Sequence, residues 1–170
     1  MATKLDNLEL EIAHFNHFKE AIPMFEQMCP KTLDILNSLG MLQISTGFEH
    51  AVANTSGHTV ISKDEADISD GSDCKLVSVR TSSYGTSYSA PVTNIYNKTG
   101  TLRVQVYERK QNKFYYFAIP NSAYRNIPKS SNIEIPFELD GTPRKRLSRT
   151  ARYANWWNFE VSSFKEMSKK

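Results

Sequence analysis

The spacing of apolar positions along the chain changes character once, near residue 58. Upstream, Leu5, Leu8, Ile12, Phe15, Phe18 and Ile22 recur at three- and four-residue steps, which places them on one helix face. One or two helices are predicted over residues 4 to 28, with Pro23 marking a break or a fresh start. A second helix is predicted from Lys31 to Leu39, entered after Pro30 and stopped at Gly40. A third is predicted over Gly47 to Ala53, where Phe48, Ala51 and Val52 form an apolar side and Gly57 offers a stop.

From His58 onward the pattern is that of strands. Thr59-Val60-Ile61 is a short β-prone run, and Lys75 to Thr81 alternates, with Val77 and Val79 on one face and Leu76 on the other. Thr101 to Arg109 and Lys113 to Ile119 are two β-rich runs joined by Lys110-Gln111-Asn112, which reads as a hairpin. Ser82 to Pro91 has no clear period and reads as a loop. Asn121 to Arg125 starts a short helix, and Ala154 to Met167 closes the chain as a helix or strand bearing Trp156, Trp157, Phe159, Val161 and Phe164. The sum is an α+β fold: N-terminal helices followed by a mixed, mostly antiparallel central sheet with flanking helices. With 170 residues, a single domain over 1–170 is expected. Its first part, 1–46, is helical and serves as core cover or dimer contact.

Composition narrows the class. At 39% hydrophobic and 23% charged residues, the chain reads as globular and not disordered. Its apolar runs fall far short of the ~20 residues that cross a bilayer. No apolar segment of a signal peptide follows Lys4, so a cytoplasmic location and no membrane partner are expected. Cys29 and Cys74 lack the spacing of a disulfide framework or a zinc site and read as packed thiols. His14 and His17, with Glu11 one turn earlier, make half of a metal site without a third ligand. They read as helix surface.

Charge divides the chain more sharply than composition does. Residues 1–73 carry 4 Lys/Arg against 12 Asp/Glu, whereas residues 74–170 carry 17 against 6. A basic half of this kind points to an anionic partner, nucleic acid first. Its densest stretch holds Arg144, Lys145, Arg146, Arg149 and Arg152 without an acid, just before Trp156-Trp157. Phosphate contact is expected of these five residues.

The acidic half ends in the segment Ala66-Asp67-Ile68-Ser69-Asp70-Gly71-Ser72-Asp73-Cys74-Lys75. Strand alternation puts Asp73 and Lys75 on the same face, and a hairpin at Asp70-Gly71 folds Asp67 back beside them. Two carboxylates and an ammonium then converge, a combination suited to holding Mg²⁺ beside a phosphate. Phosphodiester hydrolysis is the matching reaction class. The same residues also fit a solvated acidic hairpin in which Asp70 serves the turn. A calcium loop fits worse: Ser69 and Gly71 stand where ligands are wanted, and no Glu closes the loop. Phosphate-binding Gly-Lys-Ser/Thr loops, Gly-X-Ser-X-Gly elbows and Cys/His nucleophile pairs are missing from the sequence.

These residues resemble the PD-(D/E)XK nuclease superfamily, which includes many type II restriction endonucleases. Asp73-Cys74-Lys75 looks like its acid-X-Lys element, Asp67 like the preceding Asp, and Glu49 in Gly47-Phe48-Glu49-His50-Ala51 like its upstream helical acid. The chain departs from the pattern in having no Pro before Asp67 and a short gap from Asp67 to Asp73; Asp64 or Asp70 could equally be the first acid. The resemblance covers residues 47–119 as a catalytic core, leaving 120–170 as a basic and aromatic part for nucleic-acid contact. It implies an endonuclease acting on double-stranded DNA, in which Asp67, Asp73 and Glu49 serve Mg²⁺ and Lys75 positions the nucleophile. Double-strand cleavage by a chain with one active site implies a homodimer. On this reading Tyr84, Ser87 and Tyr88 in the hydroxyl-rich loop, together with Lys98 and Arg103, join the DNA contacts. The alternatives are a non-catalytic nucleic-acid-binding protein, with Trp156-Trp157 stacking on bases, and an RNA-directed nuclease using the same acids.

Overall fold

A computed structural model describes residues 30–31, 43–146 and 155–170. The helix or helices expected over 4–28, all but Lys31 of the helix expected over 31–39, the pair His14 and His17, and the basic residues Arg149 and Arg152 lie outside the described residues.

Helix α1, Gln43–Ser56, is longer than the apolar pattern alone suggests. Phe48, Ala51, Val52 and Ala53 are buried along one side. The helix ends at Gly57, whose φ of 77° only a residue without Cβ adopts cheaply, and His58 N–H donates back to the Ala53 carbonyl at 3.0 Å.

Nine strands follow among the described residues: β1 (Val60–Lys63), β2 (Ala66–Ile68), β3 (Asp73–Ser78), β4 (Arg80–Thr81), β5 (Tyr88–Val92), β6 (Leu102–Glu108), β7 (Lys113–Ile119), β8 (Ile133–Phe137) and β9 (Glu160–Val161). Helix α2 (Asn121–Tyr124) links β7 to β8. A 3₁₀ turn at Trp156–Phe159 precedes β9, and α3 (Phe164–Lys169) closes the chain. The α+β class holds. The main sheet has the order β3-β6-β7-β9, mixed because β3 runs parallel to β6 while the other pairs are antiparallel. A second antiparallel sheet has the order β4-β5-β8, and β1-β2 is a separate hairpin.

The molecule is thus layered as helices, main sheet and second sheet. Central strand β6 is buried on both faces along its whole length. One face meets α1 and α3 through a cluster including Phe48, Ile68, Tyr107 and Phe164. The other meets the second sheet through Val104, Val106, Phe117, Ala90, Ile135 and Trp157.

Three expectations are corrected here. The segment from Ser82 to Pro91 is a loop only as far as Ser87, because Tyr88, Ala90 and Val92 alternate inward as strand β5. Strand β8 is absent from the sequence reading, although Ile133, Ile135 and Phe137 are buried at a period of two; Pro136 fits there because β8 is an edge strand. Trp156 and Trp157 are core residues, each 5% exposed, so neither presents a face for base stacking. The Trp157 indole N–H donates to the Pro136 carbonyl at 2.9 Å.

Candidate active site

The site begins as a tight reversal between β2 and β3. The Asp67 and Ile68 N–H groups both donate to the Ser72 carbonyl, at 3.0 and 3.1 Å, and Gly71 N–H donates to the Ile68 carbonyl at 2.9 Å. Gly71 supplies the left-handed conformation this requires, with φ of 89°. The turn explains why a short gap between Asp67 and Asp73 suffices. It sets the Asp67 carboxylate against the first residues of β3, where it accepts from Cys74 N–H at 2.8 Å.

Asp73 lies at the centre, 1% exposed. Each of its buried carboxylate oxygens faces an ammonium. Lys75 Nζ stands 3.1 Å from Oδ2, as expected for side chains two apart on one strand, and Lys98 Nζ stands 3.0 Å from Oδ1. A carboxylate this deeply buried depends on those charged partners.

Lys98 arrives from the loop between β5 and β6, which is tied down at several points. Its ammonium and the Asn97 side-chain amide both donate to the Asp64 carbonyl. The Lys98 carbonyl accepts from the Asn121 amide at 3.2 Å, and the Gly100 carbonyl from the Tyr124 hydroxyl at 2.5 Å.

Glu49, on α1, completes the acidic group. Burial, then the Asp67 and Asp73 charges, push its carboxyl up to about 7, against the pull of Lys75 and Lys98. Burial likewise raises Asp67 to about 6, with Asp73 adding to it and the Cys74 N–H opposing. Burial and the same acids raise the Cys74 thiol, which leaves it a packed, inert group.

The geometry separates the three possible first acids. Asp64 has an exposed side chain and contributes its carbonyl. Asp70 accepts from Ser72 N–H at 3.0 Å and from Arg103 at 2.7 Å. Burial raises its carboxyl, but the Ser72 and Arg103 bonds win and hold it below the ordinary value. Asp67 is the one that shares Asp73's neighbourhood.

Of the residues expected on nucleic acid, two are corrected outright. Arg103 is 4% exposed and spans from Asp70 to the Met167 carbonyl, 2.6 Å away, so it fastens α3 to the turn. Tyr88 is 2% exposed and donates its hydroxyl to the buried Glu108 at 2.6 Å. Lys98 lies in the acidic centre, a placement its sequence context did not reveal. Tyr84, Ser87, Arg144, Lys145 and Arg146 are exposed. Arg144 pairs with Glu138 at 3.1 Å and Lys145 with Glu160 at 3.2 Å. Arg80, Ser82, Ser87 and Arg144 line a cleft of about 550 Å³ on the outer face of the second sheet. Strand β3 runs between the acidic centre and this end of the molecule, which at ~3.3 Å per residue separates them by roughly 20 Å.

The centre gathers carboxylate oxygens, the donor type a hard divalent cation takes: Glu49 and Asp67 are raised first by burial and then by their acidic neighbours, and both Asp73 oxygens are paired with ammonium groups. Among the described residues, no group of three or more histidine, cysteine, aspartate or glutamate side chains is arranged to hold a metal ion as it stands. Also among the described residues, no helix is long and apolar enough to cross a membrane. Comparisons with family models, curated proteins and solved structures return no match to this chain.

Proposed function

We propose that the protein is a Mg²⁺-dependent endonuclease that hydrolyses phosphodiester bonds of double-stranded DNA at specific sequences, as type II restriction enzymes do. The observation that carries this reading is the convergence of Glu49, Asp67 and Asp73 with the Lys75 ammonium 3.1 Å from Asp73.

Asp67 and Asp73 are the residues that would hold the ion, with Glu49 beside them. A bound divalent ion supplies Lewis acidity toward a phosphate oxygen and lowers the pKa of a coordinated water. The chain's own groups do the rest. Lys75 presents N–H donors to the attacking water and places positive charge where the phosphate oxygens gain negative charge. Asp73, fixed at the start of β3, keeps that ammonium in position. Exposed Arg144, Lys145 and Arg146 are suited to backbone phosphates, and Tyr84 and Ser87 offer hydroxyl donors at the same end of the fold. A chain with one such centre cuts both strands of a duplex as a homodimer matched to a two-fold site.

The test is incubation of the full chain with unmethylated duplex DNA, in Mg²⁺ or in EDTA, beside Lys75→Ala. Discrete fragments that need Mg²⁺ and vanish in the variant support the reading. Salt-sensitive binding without strand breaks overturns it in favour of a non-catalytic nucleic-acid-binding protein. Cleavage of RNA in preference to duplex DNA reassigns the substrate to RNA.

A further inference from the structure

Both oxygens of Asp73 are occupied, yet the two ammonium groups that occupy them are not equivalent. Lys75 belongs to the same strand and face as Asp73, so it stays beside the carboxylate wherever β3 goes. Lys98 comes from a separate loop, and its ammonium already has a second acceptor in the Asp64 carbonyl. An ammonium carries three N–H donors; Lys98 can leave Asp73 while keeping part of its bonding, and its loop remains fixed by Asn97, Asn121 and Tyr124. Its side chain is only 10% exposed, so the charge does not swing into bulk water when released. It stays at the centre.

We propose that Lys98 is an exchangeable counter-cation: it neutralises Asp73 Oδ1 in the metal-free protein, and a divalent ion takes its place there. Lys98 is on this account a positioning residue, which keeps the buried carboxylate charged and oriented until the ion arrives. The proposal rests on the reading of Asp73 as a metal ligand. It assigns to Lys98 a role that neither the acid-X-Lys pattern nor the basic character of the second half assigns. The physical content is competition. Coulomb attraction between Asp73 and Lys98 must be given up when the ion binds, so removing the ammonium strengthens ion binding at this carboxylate, whereas a purely structural lysine would weaken it when lost.

The experiment is a calorimetric titration of Mn²⁺ into the full-length protein without nucleic acid, for wild type, Lys98→Met and Lys98→Arg. The expected result is Mn²⁺ binding about tenfold tighter in Lys98→Met, with Lys98→Arg near wild type. Equal or weaker binding by a folded Lys98→Met protein overturns the exchange, as does the absence of Mn²⁺ binding in both wild type and variant. Should Lys98→Met not fold, the wild-type lysine ammonium resonances are followed by NMR during a Mg²⁺ titration, with Lys98 assigned from the Lys98→Arg spectrum. A Lys98 signal that moves as the ion saturates supports the exchange, and one that stays put overturns it. None of these measurements uses cleavage, so failure of the exchange is separate from failure of the nuclease reading, which is decided on DNA.

Discussion

A Cβ placed on Gly100 would lie 2.0 Å from the carbonyl oxygen of Gly71. The loop that carries Lys98 and the turn that aligns Asp67 with Asp73 therefore touch backbone to backbone, at a distance that only glycine permits. The contacted atoms are main chain and cannot rotate away. Gly100→Ala is expected to cost about 3 kcal/mol, the upper part of the usual range for overpacking, seen as a lowered urea midpoint. Unchanged stability would mean that the two segments separate without consequence.

For the proposed chemistry, Asp73→Asn and Lys75→Ala are each expected to reduce DNA cleavage by about 10³-fold, within the range for loss of a group acting directly on a proton transfer. Duplex binding measured in Ca²⁺ should fall much less for Lys75→Ala. Full cleavage in both variants would remove these residues from the mechanism.

The pH dependence of stability carries its own signature. Glu49 is raised from 4.5 to about 7, mainly by burial, and Asp67 from 3.8 to about 6 for the same leading reason. A raised carboxyl binds its proton more tightly in the folded chain, so this contribution is fully present below the unfolded value and is lost as pH climbs through the folded one. In the absence of divalent ions, wild type should lose stability relative to Glu49→Gln between about pH 4.5 and pH 7. Denaturant titrations of the pair across that window test it; parallel curves for the two proteins would place Glu49 outside the buried cluster.

Arg103 and Arg146 give opposite outcomes despite both being basic residues of the second half. Arg103→Met breaks a buried ion pair with Asp70 and a bond to the Met167 carbonyl, and is expected to destabilise the fold by about 3–5 kcal/mol. The salt slope of DNA binding should stay unchanged in whatever protein folds. Arg146→Ala is expected to leave the unfolding midpoint in place and, where Arg146 meets a phosphate, to reduce the salt slope by about one. The pair separates a fastening role from a binding role.

Sequence alone reveals the parts of the centre that local rules can reach. Period-two alternation suffices to put Asp73 with Lys75, and the Asp70-Gly71 turn suffices to return Asp67. Lys98 lies beyond such rules, because its arrival depends on β6 pairing in parallel with β3 and on the Gly100 contact. The available signal was modest: Gly100 stands just before a β-rich run, in a loop with Asn94 and Asn97. Arg103 and Tyr88 read as surface residues from sequence alone because exposure on a strand depends on what covers each face. β6 is covered on both, and β5 sends Tyr88 inward toward Glu108. The inward alternation of β8 was present in the sequence but masked by Pro136, which is compatible with a strand only at a sheet edge.

Parallel pairing joins Asp73 to Leu102 and Ser78 to Tyr107, so the acidic centre is closed by contacts between segments far apart along the chain. Such contacts form late, after the entropy of closing the intervening loop has been met. An unfinished chain, released before β6 has emerged and paired, holds Glu49, Asp67, Asp73 and Lys75 but lacks the frame that assembles them with Lys98. The topology itself thus withholds the centre until β6 has paired with β3, so the acids and their counter-charges come together only in a chain that has already formed the middle of its main sheet.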